Sequence, residues 1–322
     1  MLAKNNYETY LKEKRKYYAE LLYEKINKEN LKKDLIFSYL GARICYYSDY
    51  PIRILFEEKF LDKRKRTQFL LNLYKKKHFS IFAHTPIVID LSDINVETRE
   101  RIFKYFFKVF PIDEFTAMFT LRHFTENLPE EKFKELIDIG LYDWRKDNDF
   151  MKSFELKSNI VIELSEFNAR YLQSKLFVFN SSIPEWKVVL AYNISRICSH
   201  QWIRHTTINF NQRSHRYTDV DAFCLPYRFQ EDYDLFNRIY IDFQDLYGLY
   251  TSLKVKERFR KEELRFLMPQ GTATTLIASA PIFVWKDFVE KRCISQAQEE
   301  IREIAKILRK VLFNNKIGEK DE

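Results

Sequence analysis

Glycine occurs only five times in this chain of 322 residues, at Gly41, Gly140, Gly248, Gly271 and Gly318. Dinucleotide-binding folds place G-x-G-x-x-G after a strand so that bare backbone can approach a pyrophosphate, and P-loops need a comparable glycine-rich turn. Neither pattern can be written anywhere in this sequence. Any nucleotide must therefore be held another way. With 46% hydrophobic residues the chain is long enough for one large core or two ordinary ones.

The charge balance leaves such a ligand open. Lys and Arg number 54 against 46 Asp and Glu, a formal charge of +8, which suits a phosphate-bearing partner. Much of the excess sits in mixed runs such as Lys12–Lys16 and Lys28–Lys33, which read as solvated helix faces rather than a nucleic-acid surface. Cys45, Cys198, Cys224 and Cys293 are too far apart for a Cys-x-x-Cys metal site or a secreted disulfide framework, and read as reduced thiols of a cytoplasmic protein. The N-terminus lacks an apolar leader and no run of eighteen apolar residues occurs, so neither export nor membrane spanning is expected.

Residues 1–33 carry Tyr7, Leu11, Tyr18, Leu22 and Ile26 at loosely helical spacing, which predicts an amphipathic N-terminal helical extension, an appendage to the rest. Leu35–Leu40 reads as a strand or the start of a buried helix, and Ile54–Lys77 as a charged helix. Strands are expected at Pro86–Leu91, Asn159–Leu164 and Lys187–Tyr192, the last running into a helix over Asn193–His205. Long helices are expected over Gln230–Phe266 and from Pro281 to about Phe313. The expected class is α+β, a modest, mostly antiparallel sheet flanked by long helices. Residues 34–322 form the main domain, with a mixed α/β insertion at about 93–182.

On a helix over 193–205, Ile194, Ile197, Cys198, Gln201, Arg204 and His205 share one side. Burying Gln, Arg and His unpaired is costly, so that face calls for internal partners or for a polar ligand. Trp285, Phe288, Arg292 and Gln296 follow helical spacing near the C-terminus, which puts Arg292 on an aromatic stripe. Its guanidinium needs an anion, a set of acceptors, or a place at the stripe's rim. Arg216 and Arg265 are equally ambiguous singly, but with Ser214 they offer the forked and hydroxyl donors that a nucleotide monophosphate requires.

Three blocks in order carry a family resemblance. Arg204-His205-Thr206, then Ser214 and Arg216-Tyr217, resemble the signature of the flavin-dependent thymidylate synthases, R-H-R, seven residues, then S. His78-Phe79-Ser80-Ile81-Phe82-Ala83-His84 resembles that family's H-x-S/T-x-x-E-H. Leu264–Pro269 and Phe288–Arg302 resemble its Arg-x-x-x-Pro and F-x-x-x-R, A-Q-x-E-I-R segments. The resemblance covers about residues 34–92 and 183–312. It implies a homotetramer with shared active sites that converts dUMP to dTMP, with methylenetetrahydrofolate as carbon donor and FAD, reduced by NADPH, as hydride carrier. By matching position, Ser80, Arg204, His205, Thr206 and, more weakly, Asp287 would contact FAD. Gln201, Gln212, Ser214, His215, Arg216 and Arg265 would surround dUMP, and Arg292 would stabilise the anionic uracil ring.

The chain departs from that pattern at several positions. Thr206 stands for Arg, Ala83 for Glu, Gln212 for an acidic residue, His215 for a small one and Gln296 for His. Loss of charge at Thr206 and Ala83 keeps open a second reading, a non-catalytic flavin- or nucleotide-binding relative. A third class, a basic nucleic-acid-binding helical protein, has only the Lys-rich N-terminal helix in its favour.

Overall fold

The computed structural model describes residues 2–164, 169–256 and 259–314. The chain divides into two compact units, 1–42 with 52–150 and 180–188, and 43–51 with 151–179 and 189–322.

The first unit begins with helix α1 (Leu2–Tyr23) and α2 (Lys28–Ile44). Short helix α3 (Glu58–Leu61), α4 (Lys63–Lys75), strand β1 (Pro86–Asp90), α5 (Val96–Tyr105), β2 (Phe110–Pro111), β3 (Thr116–Thr120), α6 (Leu121–Thr125) and α7 (Glu130–Ile137) follow. The strands form a small antiparallel sheet in the order β1-β3-β2. Helix starts are set by short polar side chains. Asp62 accepts from the Lys65 amide and opens α4, and Asn95 accepts from the Thr98 amide and opens α5.

The helix expected as an appendage supplies much of this unit's core. Tyr18, Ala19, Leu22, Tyr23 and Ile26 are buried with Leu70, Phe82, Phe119, Phe124 and Phe133. The choice left open for residues 35–40 resolves as helix, because Leu35, Phe37, Tyr39 and Leu40 are buried on more than one side of α2. The continuous charged helix expected over residues 54–77 is broken instead into a 3-10 turn (Pro51–Phe56), α3 and α4. Asp62 causes the second break by ending α3 in an extended conformation while capping α4.

The second unit holds β4 (Met151–Leu164), β5 (Ala169–Asn180), β6 (Trp186–Ser195), α8 (Arg196–Trp202), β7 (Asn209–Gln212) and β8 (Ala222–Pro226). Then come α9 (Tyr233–Val255), α10 (Lys261–Leu264), β9 (Ala273–Pro281), α11 (Ile282–Arg292) and α12 (Glu299–Phe313). Six strands order as β7-β9-β6-β5-β4-β8, with antiparallel pairing at β4–β5, β4–β8 and β7–β9. Every residue of β9 is buried, which accounts for its run of apolar and small residues. Helix α12 buries Ile301, Ile304, Ala305 and Leu308, one stripe of a 3.6-residue period. The helix expected from 281 to 313 is interrupted at 293–298, where Gln298 turns to cap α12, so Gln296 lies off the aromatic stripe. The fold is thus mixed α and β with antiparallel sheets, as expected from sequence. No helix among the described residues is long and apolar enough to cross a membrane.

Two stability outcomes follow. Leu22 is fully buried in the first core, so Leu22→Ala should cost about 2–5 kcal/mol in urea unfolding. Asp34 accepts from Ser181 Oγ (2.9 Å), Ser182 N (2.9 Å) and Ser182 Oγ (2.5 Å), yet burial outweighs these bonds and pushes its pKa from 3.8 up to about 6. The folded state holds this proton more tightly than the unfolded chain, so Asp34's contribution is present below pH 3.8 and lost as pH rises through about 6. The stability of the natural chain relative to Asp34→Asn should fall across that window. A flat difference in paired urea titrations would contradict it.

Candidate active site

The site is built around the corner where β6 passes into α8. The Ser195 side chain caps α8 by accepting from the Cys198 amide (3.0 Å). Its hydroxyl donates to Glu300 Oε2 (2.5 Å) and its amide to Glu300 Oε1 (2.8 Å). Glu300 also accepts from Asn159 Nδ2 and is only 1% exposed. Burial raises its pKa against the pull of these donors. Next to it, Glu303 accepts from the amides of Lys157 (2.7 Å) and Ser158 (2.9 Å), within the stretch of β4 where pairing with β5 shifts register. The A-Q-x-E-I-R block of the sequence therefore has a structural task, anchoring the corner from behind.

Helix α8 begins at Arg196, later than expected, because residues 193–195 complete β6. Its first amides donate to the carbonyls of Thr272 (3.0 Å) and Gln270 (3.3 Å). Gly271 between them is required sterically, since a Cβ there would lie 2.8 Å from the Cys224 carbonyl oxygen. The later start rotates the expected face. Ile194 and Cys198 are buried, but Ile197 and Arg204 are exposed.

Three of the expected site residues meet at the C-terminal end of α8. Arg292 donates from Nε to His205 Nε2 (3.0 Å), from Nη1 to Gln201 Oε1 (3.4 Å) and from Nη2 to the Gln201 carbonyl (3.1 Å). These bonds use three of the five N–H donors of a guanidinium. Behind them Trp202 stacks on Phe288 at 5.4 Å, and His205 meets the same ring edge-on at 5.0 Å. Burial first, and then Arg292, push the His205 pKa down to about 4. The neutral ring can thus accept at Nε2.

A second cluster lines a cleft of about 380 Å³ formed by Arg196, His200, His215, Arg265, Phe266, Met268, Pro269, Gln270 and Thr272. Arg196 contacts His200 Nε2 at 3.3 Å, and no carboxylate pairs with Arg196 or Arg265 among the described residues. Burial, together with the Arg265 charge, lowers the Arg196 pKa, while burial and Arg196 lower that of His200. Two guanidiniums without a carboxylate partner among the described residues thus share one concavity, where their positive fields add.

The other expected residues are dispersed around these clusters. Gln212 donates from Nε2 to Ser199 Oγ (2.9 Å) and Thr274 Oγ1 (3.1 Å). Ser214 bonds the Cys45 carbonyl through its amide (3.0 Å). Arg216 pairs with Glu262 (2.7 Å) and Asp287 with Lys291 (2.7 Å). Arg204 and Thr206 are exposed on the turn that follows α8. Ser80 belongs to the first unit, on a 3-10 turn over Phe79–His84. Sequence reasoning matched Ser195-Arg196 to the resembled family's strand-to-helix segment but gave neither Arg196 nor His200 a site role, although their i, i+4 spacing was an available signal, and it missed buried Arg213. Arg213 holds the signature loop by donating to Thr218 Oγ1 (3.1 Å) and the Asp219 carbonyl (2.7 Å) and pairing with Asp221 (3.2 Å).

Residues 163–314 match the family described as thymidylate synthase complementing protein. The flavin-dependent thymidylate synthase of Pyrococcus furiosus is 30% identical over 117 residues, 34% of this chain and 48% of that protein. The Thermococcus kodakarensis enzyme of the same name is 32% identical over 130 residues, 38% and 53% of the two chains. That of Mycobacterium marinum is 27% identical over 156 residues, 43% and 62%. The chain thus spans about half the length of the curated relatives it matches. Among solved structures, a UMP/dUMP methylase, PolB from Streptomyces cacaoi, aligns with 20% identity over 38% of this chain and 65% of its own, at a TM-score of 0.35. Both clusters and the loop that Arg213 holds fall inside the matched segment, residues 163–314.

Proposed function

We propose that this chain catalyses the reductive methylation of dUMP to dTMP, with methylenetetrahydrofolate as carbon donor and an FAD reduced by NADPH. The observation that carries the reading is a pair of guanidiniums without a carboxylate partner among the described residues, Arg196 and Arg265, in a cleft of the same unit as the Arg292–His205–Gln201 cluster. A phosphate monoester supplies the negative charge this cleft lacks, and forked Arg donors match its oxygens. Gln201, Gln212, Ser214, His215, Arg216 and Arg265 are assigned to dUMP. Ser80, Arg204, His205, Thr206 and Asp287 are assigned to the flavin.

Arg292 keeps two N–H donors beyond those held by His205 and Gln201. Fixed against the aromatic wall, it can stabilise negative charge on a uracil ring without reorganising as that charge develops. The donors at hand suit an FAD: exposed Arg204 makes no ion pair among the described residues, and Thr206 beside it offers a hydroxyl. When bound, the flavin supplies the hydride, and the protein's part is to bind, orient and exclude water. Folate, NADPH, a homotetramer with shared sites and a cytoplasmic location belong to the same reading. The second reading, a non-catalytic flavin- or nucleotide-binding relative, draws on exposed, uncharged Thr206.

Purified protein incubated with FAD and desalted should keep flavin absorbance and release tritium from labelled dUMP in the presence of NADPH and methylenetetrahydrofolate. Retained flavin without release would favour the non-catalytic relative, and loss of flavin would leave only the nucleotide-binding form of that second reading. Arg292→Ala should lower kcat/KM by about 10²–10³-fold with flavin still bound. Arg265→Ala should instead act on affinity, raising the Kd for dUMP by about 10- to 100-fold.

A further inference from the structure

The basic cleft is not lined by polar groups alone. With Arg196 and Arg265 it carries Phe266, Met268 and Pro269, so a concavity of about 380 Å³ combines two guanidiniums with a short apolar run. A bare phosphate would engage the first and have nothing to place against the second. Small-molecule sites of this size are typically apolar surfaces with a few polar groups that fix orientation.

Phe266 is 86% exposed, the most exposed of the large apolar side chains among the described residues, and its ring has no aromatic or cationic partner there. Single exposed apolar side chains are ordinary on a protein surface. This one borders a cationic cleft and follows Arg265 directly on a 3-10 turn whose backbone is held at both ends. Before the turn, Leu264 is buried and its amide donates to the Arg260 carbonyl (3.1 Å). After it, the Met268 amide donates to the Arg265 carbonyl (3.1 Å) and the Thr272 amide to the Pro269 carbonyl (3.0 Å). Residues 270–272 in turn accept from the first amides of α8, the helix that begins with Arg196. The phenyl and both guanidiniums therefore stand on one connected stretch of backbone, and almost all of the Phe266 surface is open to a ligand. An unpartnered aromatic ring beside cations suits a flat ring that carries an anion, because the guanidiniums take the charge and the phenyl takes a ring face.

We propose that Phe266 is a specificity-determining residue that stacks on the base of a nucleotide whose phosphate is held by Arg196 and Arg265, so that the cleft selects ring-bearing phosphates over sugar phosphates. The proposal rests on the nucleotide reading above and extends it from charge to the base. A stack takes one face of the base. It leaves unobstructed the polar edge, on which Arg292 would act, and the opposite face, which a flavin would meet.

The test measures calorimetric affinities of the full chain for dUMP and for 2-deoxyribose 5-phosphate, which keeps the sugar and the phosphate and lacks the base. The proteins are the natural chain, Phe266→Ala, Phe266→Leu and Phe266→Trp. A side chain this exposed contributes little to folding, so all three variants should unfold at the natural urea midpoint. Phe266→Ala should bind dUMP about 10-fold more weakly and deoxyribose phosphate as well as the natural chain does. Phe266→Trp should keep the natural affinity for dUMP, and Phe266→Leu, apolar but without a ring face, should not. If the natural chain binds dUMP and Phe266→Ala binds it equally well, the stacking alone is overturned. Equal weakening of both ligands, or full affinity in Phe266→Leu, would also overturn it. So would a loss of dUMP affinity in Phe266→Ala that comes with a changed sedimentation coefficient, since the ring would then be a contact between copies of this chain. Binding of neither ligand by the natural chain would overturn the nucleotide reading and the stacking with it.

Discussion

A single buried carboxylate organises the second unit. Glu300 accepts from the amide and hydroxyl of Ser195 and from Asn159, and so joins the start of α12 to the β6–α8 corner and to β4. Carrying a carboxylate to 1% exposure is expensive in isolation, and here donors from three directions offset the cost. The same Ser195 hydroxyl that donates to Glu300 accepts from the Cys198 amide, so the helix start and the carboxylate fix each other. Everything that carries chemistry on α8 is measured from that point. Arg196 and His200 turn toward the cleft, and Gln201, with His205 just beyond the helix end, turns toward Arg292.

How far the sequence disclosed this arrangement depends on the element. Strands with a strong β-branched signal, at 86–90, 159–164 and 187–192, are present, two of them within longer strands. β9 went unseen because Ala273-Thr274-Thr275-Leu276-Ile277-Ala278-Ser279-Ala280 has small residues on both faces, and a strand buried on both sides has no alternation to read. Helices were placed well but drawn too long. Their interruptions come from caps such as Asp62, Ser195, Asp232 and Gln298, local hydrogen bonds that override a continuing hydrophobic period. N-terminal Tyr18 and Leu22 looked peripheral because their partners, Leu70, Phe119 and Phe133, are far away in sequence.

The candidate site shows the same division. Arg292, Gln201 and His205 were nominated separately, and the structure brings them within hydrogen-bonding distance of one another. Arg196 and His200 were given no site role because a helix drawn from 193 turns them away from the supposed working face. The buried roles of Glu300 and Arg213 could not be read from spacing alone, since each is defined by partners on other elements, Asn159 and Ser195 for the first and Asp221 for the second. Chemical type can be legible in a sequence while the pairing that gives it a task is not.

The scarcity of glycine has a consequence beyond the folds it excludes. Where a glycine-rich loop grips phosphate, the ligand is read by main-chain amides, and changing its preference means rebuilding the loop. The charged and imidazole side chains that line this cleft, those of Arg196, His200, His215 and Arg265, are borne on a short helix, a loop and a 3-10 turn. Gly271 is needed only to let two stretches of backbone lie close together. On the proposed reading, recognition is therefore modular. A single exchange of a terminal functional group can redirect what the cleft accepts while the supporting backbone stays as it is.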